Sequence, residues 1–362
     1  MSTPPSFTAA HSMSAACIWR SLVVIGAFAT LAACNAAPSA TDTPAAEASA
    51  ASGSSPQVEA PVQGDTSSQP AAQPDEGTTE SAPDIAEVAV EAPLTEAERA
   101  QLVTLSGAVT EVIAGLGYAQ HIIGVDSSSV YPPEMMSRSQ VGYHRRLSAE
   151  GVLALQPSAV IGTPEDGPDA AITAFRSAGI RYVAVPHAES VDTAIQRIRE
   201  LGRLMEQPAR AEEMVTALQN DLARVAATIP ADVARPKVLF IYARGPGVLM
   251  VAGRNTPAEQ MISLAGGVNA VTEFEDFRPL TPEAVVAAAP DVLLMAQRGA
   301  ESVGGNDAVF GLPGVALTPA GQNQRLITVD DLQLLGFGPR MGQAVATLAQ
   351  GLHPELPWSA NP

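Results

Sequence analysis

The sequence predicts an α/β protein of two Rossmann-like lobes with mostly parallel sheets, joined by a long connecting helix. The first observation behind this fold class is a repeat: residues 147–161 are matched without a gap at residues 280–294, with Leu, Ser/Thr, Glu and Pro in equivalent places. Each copy has a Ser or Thr N-cap, a short helix with apolar residues at helical spacing, a proline that ends the helix, and an apolar strand. The copies lie 133 residues apart, which is a domain length rather than a solenoid period, and they indicate two related lobes.

The second observation is the alternation of strands and helices along the first lobe, which we assign to residues 99–206. Such alternation is typical of a mostly parallel sheet with helices on its faces. The predicted strands are residues 103–105, 122–125, 160–161 and 182–185, and the predicted helices are residues 110–116 and 170–178.

The third observation is a pair of long helical patterns, residues 191–205 and 209–227, separated by Pro208. The second pattern carries one apolar stripe and is predicted to be the connecting helix, residues 207–229. Because a stiff helix limits hinge motion, we expect the lobes to open and close only slightly.

The second lobe is assigned to residues 230–362. It is predicted to contain a strand at residues 238–242, a helix at 257–264, the second copy of the repeat and a final helix at 340–352. Two lobes create a cleft between them, and clefts are where small ligands bind.

The first 33 residues are predicted to be a lipoprotein signal peptide. Residues 21–33 form an apolar run after Arg20, too short to span a bilayer but suited to a secretion signal. The run ends in Leu-Ala-Ala-Cys, which resembles the bacterial lipobox, and this resemblance implies lipidation of Cys34. Cys17 would be removed with the signal, so the mature protein is expected to have neither a disulfide nor a thiolate metal site.

Residues 34–98 are predicted to be a disordered acidic tether rich in Ala, Ser and Pro. From residue 36 onward the segment has no Lys, Arg or aromatic residue, and it cannot bury enough apolar area to offset backbone entropy. The formal net charge of the chain, -18, is therefore partly a property of the tether. Acidity argues against a nucleic-acid partner, which would require a basic surface.

Enzyme chemistry finds little support in the sequence. The four histidines of the mature chain lie at positions 121, 144, 187 and 353, and no two of them have the spacing of metal ligands. The patterns of a nucleophile elbow and of a phosphate-binding loop are both missing. We therefore predict that the protein is not an enzyme.

The first candidate binding element is the segment Gly142-Tyr143-His144-Arg145-Arg146, in a loop just before the first repeat helix. Nearby cations favour phenolate over phenol, and phenolate is a hard oxygen donor suited to ferric iron. Tyrosine also serves as an axial ligand of haem. From the residues alone, a packed loop tyrosine with solvated arginines remains the alternative.

The second candidate is Arg298, which is expected in a loop that follows a strand of the second lobe. Loops after the carboxyl ends of strands line the binding crevice of open α/β sheets. Arg298 is therefore either a contact for an anionic ligand or a plain surface arginine.

Six short motifs together resemble the haemin-binding proteins of bacterial ABC haem importers. They are Gly142-Tyr143-x-Arg145, Leu147-Ser148-Ala149-Glu150-Gly151, Ala252-Gly253-Arg254, Leu264-Ala265-Gly266-Gly267, Leu317-Thr318-Pro319-Ala320-Gly321, and the stretch from Leu335-Gly336 to Pro339-Arg340. More broadly, the chain resembles the helical-backbone class of solute-binding proteins, which also serves cobalamin and ferric siderophores. The resemblance covers about residues 102–354.

This resemblance implies a lipid-anchored protein of the periplasm or cell envelope that binds haem, as haem b, and delivers it to the permease dimer of an ABC importer. It implies that Tyr143 is the axial ligand of the haem iron. It also implies that an arginine of the other lobe assists this tyrosine, and Arg298 is the candidate. Arg145 and Arg146 are expected near the propionates, and a contribution of His144 stays open. The protein is expected to be a monomer, and a ferric siderophore or cobalamin is the alternative ligand.

The repeat itself carries a further pair of candidates, Glu150 and Glu283, at matching places in the two copies. In the wider class a glutamate on each lobe docks onto arginines of the permease, and a two-fold permease needs two pseudo-equivalent anchors. The alternative is that each glutamate only favours the first turn of its helix through the helix dipole.

Overall fold

The first lobe is built on a five-stranded sheet in which every neighbouring pair is parallel. The computed structural model describes residues 91–245 and 247–358. The predicted signal peptide, the predicted lipidation site Cys34 and the part of the predicted tether up to residue 90 lie outside these residues. In spatial order β3-β2-β1-β4-β5, the strands are β1 Leu102–Thr104, β2 Ile122–Val125, β3 Ser139–Gln140, β4 Ala159–Gly162 and β5 Arg181–Ala184.

Helices cover the faces of this sheet, as the alternating pattern predicts. Central strand β4 is buried along its whole length, which is the pattern of a parallel strand covered on both sides. The helices are α1 Gly107–Ile113, α2 Ala149–Leu153, α3 Asp169–Ser177 and α4 Val191–Leu204. Ser190 and Thr193 form a capping box at the start of α4, in which each side chain accepts a backbone N–H from the other residue.

The second lobe has a mixed sheet of order β11-β10-β6-β7-β9, with β8 also paired to β6. Its parallel part is β6, β8, β10 and β11, whereas β7 pairs antiparallel with both β6 and β9. The strands are β6 Lys237–Ala243, β7 Leu249–Ala252, β8 Val268–Asn269, β9 Phe277–Pro279, β10 Val292–Ala296 and β11 Leu326–Val329.

The predicted fold class, two α/β lobes with mostly parallel sheets, is confirmed. Strand β7 is the departure from it, because it runs antiparallel to both of its neighbours, β6 and β9. Only a short turn separates β6 from β7, and a turn of that length returns the chain in the antiparallel sense.

A helical layer joins the lobes. Helix α5, Pro208–Thr228, is the connecting helix, and it packs against α4 on one side and against the final helix α12, Met341–Leu352, on the other. One apolar cluster runs through this layer from Val112 and Leu201 in the first lobe through Leu218 to Val345 in the second. The remaining helices are α6 Pro257–Leu264, α7 Pro282–Ala288, α8 Gln297–Ser302, α9 Asn306–Val309, α10 Pro319–Gln322 and α11 Asp331–Leu335.

The sequence repeat is also a structural repeat, consisting of α2 with β4 and α7 with β10. Each helix is followed by a residue in the left-handed region just before the proline that the two copies share: Gln156 at φ 50° and Ala289 at φ 42°. The predicted cap forms in the second copy, where the Thr281 hydroxyl accepts the Ala284 N–H at 3.2 Å. In the first copy Ser148 occupies the predicted N-cap position, but its side chain makes no hydrogen bond to the helix.

The chain upstream of β1 packs on the first lobe. Leu94 is buried, with 1% of its surface exposed, and its N–H donates to Leu204 O at the end of α4. Arg181 donates to the carbonyls of Ala92 and Pro93. The packed part of the chain therefore reaches upstream of residue 98, where the sequence places the end of the tether. None of the described helices combines the length and apolar content of a bilayer-spanning segment.

Candidate functional site

A cleft of about 560 Å³ lies between the two lobes. Its walls are the segments that follow the carboxyl ends of the parallel strands, which is where open α/β sheets bind ligands. The first lobe contributes residues after β1, β2, β3 and β4, and the second lobe contributes residues after β6, β10 and β11. The side chains of chemical interest in these walls are Tyr143, His144, Arg145, Glu165, His187, Tyr242, Arg244, Arg298 and Asp331.

A larger groove of about 910 Å³ adjoins this cleft at His187. Hydroxyl, amide and carboxyl side chains from the start of α4 and from α6 line it, and the tyrosines and most of the arginines lie outside it. We place the candidate site in the smaller cleft, because the aromatic and cationic side chains of both lobes meet there.

Tyr143 lies half-buried in the cleft wall, immediately after Gly142 at φ 93°. That backbone conformation suits glycine, and it turns the chain so that Gly142 O accepts the Ser127 N–H while the next residue enters the cleft. Across the cleft, the Arg244 guanidinium carbon lies 5.5 Å from the centre of the Tyr143 ring and 5.8 Å from that of Tyr242. The guanidinium that lies over the Tyr143 ring therefore comes from the other lobe.

Tyr242 and Arg244 are among the cleft side chains that the sequence analysis missed, together with Glu165, His187 and Asp331. Arg244 comes directly after strand β6, so the rule that singled out Arg298 after β10 also applies to it. Its position after a strand could have identified Arg244 as a cleft residue. Its contact with Tyr143, however, forms only because the two lobes approach each other.

His144 is buried and tied to Asp166. Its Nδ1 lies 2.8 Å from Asp166 Oδ1, and the same carboxylate accepts the Thr163 N–H at 2.9 Å and the Tyr182 hydroxyl at 3.0 Å. A carboxylate is an acceptor, so His144 donates through Nδ1, and in the neutral ring Nε2 keeps the lone pair. Burial, and then the charge of Asp166, raise the pKa of Tyr182 far above its usual value and keep that phenol protonated.

The rings of Tyr143 and His144 meet edge to face, with centres 4.8 Å apart. This geometry is a favourable aromatic pair. The Asp166 carboxylate, His144 and Tyr143 therefore form one packed series that ends at the cleft surface.

Arg145 and Arg146 behave differently from each other. Arg145 lines the cleft and forms an ion pair with Glu165, which also lies 3.5 Å from His187 Nδ1. Arg146 is exposed and lies outside the set of residues that line the cleft.

Arg298 lines the cleft on the second lobe, in the first turn of helix α8 rather than in the predicted loop. The difference arises because β10 extends to Ala296 and the chain turns directly into the helix. The backbone N–H of Arg298 donates to Asp331 Oδ2 at 2.9 Å. Burial raises the pKa of Asp331 although this N–H and the Arg298 charge act in the opposite direction.

Glu150 and Glu283 lie in the first turns of α2 and α7, both exposed, at equivalent places in the structural repeat. Within the described part of the chain neither carboxylate forms an ion pair with a basic side chain. Residues 91–245 and 247–358 also contain no cluster of three or more His, Cys, Asp or Glu side chains that could hold a metal ion.

Two α/β lobes joined by a helix, with a ligand-sized cleft at the strand ends, define a solute-binding protein. Residues 102–332 match the model of the family described as "Periplasmic binding protein", and the chain belongs to that family.

Similar proteins include a haem-binding protein, a cobalamin-binding protein and an uncharacterized substrate-binding lipoprotein. The chain is 42% identical to the periplasmic haem-binding protein RhuT of Roseiflexus sp. RS-1 in its apo form, over 70% of this chain and 98% of that one, with a TM-score of 0.67. It is 25% identical to the uncharacterized ABC transporter substrate-binding lipoprotein YvrC of Bacillus subtilis, over 71% of this chain and 81% of YvrC. It is 26% identical to the cobalamin-binding protein of Halobacterium salinarum, over 71% of this chain and 70% of that protein.

Proposed function

We propose that this protein binds haem outside the cytoplasm and delivers it to an ABC importer, without catalysing a reaction itself. The observation that carries the proposal is Tyr143, half-buried in the interlobe cleft and faced by Arg244 from the other lobe. The similarity to a haem-binding protein over nearly all of that protein's length supports haem as the ligand.

In this proposal the Tyr143 phenolate is the axial ligand of ferric haem b, which is the cargo of the protein. A free phenol has a pKa near 10, so forming phenolate at pH 7 costs about 4 kcal/mol. The ferric iron and the nearby Arg244 guanidinium would have to offset this cost. The Nε2 lone pair of His144 leaves open a second contribution from the same wall of the cleft.

The haem propionates would be bound by arginines of the cleft. Guanidinium groups pair with carboxylates through two parallel hydrogen bonds, which is the strongest common geometry for such a contact. A propionate could reach Arg244 and Arg298 on the second lobe most easily. Arg145 would first have to break its ion pair with Glu165. Arg146 would act only through its charge at the rim.

Delivery would use Glu150 and Glu283 as docking anchors for the two halves of a permease dimer. Their exposed positions at equivalent places in the repeat support this role. Lipidation of Cys34 would hold the protein, as a monomer, near the membrane that contains the importer.

A second candidate function is the binding of cobalamin or a ferric siderophore, which the similarity to a cobalamin-binding protein favours. Absorption spectra of the full chain mixed with haemin, and separately with cyanocobalamin, distinguish the two. We expect a shifted Soret band and retention of haemin after gel filtration, with cyanocobalamin eluting free. Retained cyanocobalamin together with free haemin would reverse the assignment.

A further inference from the structure

A five-residue segment of the second lobe, Gly336 to Arg340, is held between helices of the first lobe. It connects α11 to α12 and lies against α1 and α4. We call it the clamp segment. At its end, Arg340 forms a two-pronged ion pair with Glu111 of α1, with Nε donating to Oε1 at 2.6 Å and Nη2 to Oε2 at 3.1 Å.

The same segment is held at its start by Arg197 of α4. Its Nη2 donates to Gly336 O at 2.8 Å and to Phe337 O at 2.6 Å. Arg197 is 2% exposed and, together with Gly336, also lines the floor of the cleft. One of the contacts that join the lobes, between Arg197 and Gly336, therefore also forms part of the cleft wall.

Two further contacts complete the arrangement. The Arg340 guanidinium carbon lies 3.4 Å from the centre of the Tyr131 ring, which belongs to a loop of the first lobe. At Gly338, a Cβ would lie 3.2 Å from Glu111 Oε2, so the backbone approaches this carboxylate more closely than a side chain would easily allow. The clamp segment thus has partners in the first lobe at its start, its middle and its end.

These charges are costly to bury. Burial raises the pKa of Glu111 in spite of Arg340, and it lowers the pKa of Arg197 to about 10. Replacing a buried ion pair by apolar residues of similar volume is often neutral for stability or favourable. Apolar packing already joins the lobes through the helical layer, but it is not directional. A two-pronged ion pair is directional, so the charged contacts are suited to hold the lobes in one relative position.

We propose that Glu111, Arg197 and Arg340 form an interlobe latch that sets the separation of the lobes at the cleft floor. The latch residues act as positioning residues, because they hold Tyr143 and Arg244 at their distance without contacting the iron. The effect on ligand release rests on the proposed haem-binding function, whereas the effect on lobe position does not.

The test is the double variant Glu111→Leu/Arg340→Met, which removes both charges and keeps the volume. The matched control is Arg199→Met/Glu212→Leu, a two-pronged pair between α4 and α5 with an Nε–Oε1 distance of 2.7 Å and an Nη2–Oε2 distance of 3.1 Å, but exposed. Spin labels at Ala154→Cys and Ala287→Cys, in the full chain with Cys17 and Cys34 changed to Ser, report the distance between the lobes.

We expect the latch variant to unfold at a lower urea concentration than the wild type, because Arg197 stays buried without the Glu111 charge. We also expect it to show a broader label-to-label distance distribution and to release haemin to apomyoglobin about tenfold faster. The control should match the wild type in all three measurements. An unchanged distance distribution in a folded latch variant would overturn the proposal.

A second variant covers the case in which the double variant does not fold. Arg340→Lys keeps the charge but loses the two-pronged geometry, and it should still broaden the distance distribution. An Arg340→Lys protein with the wild-type distribution also overturns the latch. Failure of the wild type to bind haemin would count against the proposed function alone, and the distance measurement would then decide the latch by itself.

Discussion

Two residues define the surroundings of Tyr143: the glycine immediately before it, which adopts a positive φ, and Arg244 from the opposite lobe. His144, one residue later, also lines the cleft, and its Nδ1 is held by the buried Asp166 carboxylate. The two adjacent residues therefore differ in how they are held, Tyr143 facing an arginine across the cleft and His144 anchored to its own lobe.

Replacing Tyr143 by Phe keeps the ring and removes the oxygen that would ligate iron. We expect the Tyr143→Phe protein to lose the high-spin, phenolate-type visible spectrum with haemin and to bind haemin at least about tenfold more weakly. Some affinity should survive through porphyrin burial and the arginines. Absorption spectra and haemin titrations measure both effects.

Tyr118→Phe is the control for this change, because Tyr118 lies in the same lobe but outside the cleft-lining set, with its hydroxyl donating to Met205 O. Its spectrum with haemin should equal that of the wild type. If Tyr143→Phe keeps the wild-type spectrum and His144→Ala alters it, the ligand is the histidine and the Tyr143 assignment is wrong.

At the scale of single elements, the end of α7 stores local backbone strain. Ala289 adopts φ 42° and ψ 58°, a left-handed conformation that costs a residue with a Cβ about 1–2 kcal/mol. A glycine at this position would lack this cost but would lose more entropy on folding. We expect Ala289→Gly to raise the free energy of unfolding by about 0.5–1 kcal/mol, measured by urea denaturation.

The control for this prediction is Ala287→Gly, two residues earlier in the same helix and exposed. Glycine inside a helix costs about 0.5–1 kcal/mol relative to alanine, so this variant should be less stable than the wild type. A loss of stability in both variants would contradict the role assigned to the left-handed residue.

The segment before β1 is a second element with a measurable contribution. Leu94 packs in the main apolar cluster although it lies in a sequence dominated by small and acidic residues. Leu94→Ala should lower the free energy of unfolding by about 2–4 kcal/mol, as expected for a buried leucine. Leu317→Ala, at a leucine that is 71% exposed, should change it by less than about 0.5 kcal/mol.

Limited proteolysis of the full chain tests the same packing independently of mutation. We expect the resistant core, identified by mass spectrometry, to retain Leu94, since its side chain and its N–H are both engaged. A core that begins at residue 102, with stability equal to that of the full chain, would show that this segment contributes nothing.

At the scale of the whole molecule, the two glutamates proposed for docking lie outside the set of residues that line the cleft. Reversing both charges, in Glu150→Lys/Glu283→Lys, should abolish haem transport in cells while leaving haemin affinity unchanged. Each single reversal should be milder, because exposed ion pairs contribute little individually. Uptake assays and haemin titrations measure the two properties separately.

The matched control is Glu134→Lys/Glu213→Lys, two exposed glutamates outside the repeat, with the same change in net charge. This protein should transport normally. Equal loss of transport in both double variants would attribute the effect to net charge rather than to docking, and a loss of haemin affinity in the first would contradict the separation of surfaces.

The two-lobe fold could be predicted from the sequence because its signals are local or repeated. The buried strand β10, the helix α6 and the matching segments 147–161 and 280–294 each carry their pattern in a short stretch of chain. For the same reason Tyr143 could be placed in a cleft loop. It lies between a predicted strand and a predicted helix, and loops that follow the carboxyl ends of strands line the crevice of such sheets.

The partners of the site residues required the tertiary structure. Glu111 and Arg340 are 229 positions apart. No local sequence pattern predicts their contact, and none predicts the contact between Tyr143 and Arg244. Such pairs form only when non-local apolar packing through α4, α5 and α12 brings the lobes together. The sequence by itself therefore determined the lobes, the repeat and the cleft loops. The packing of the lobes decided which side chains face each other across the cleft. The physical reason is that such a contact depends on the distance between residues far apart in the sequence, and a short segment contains no information on that distance.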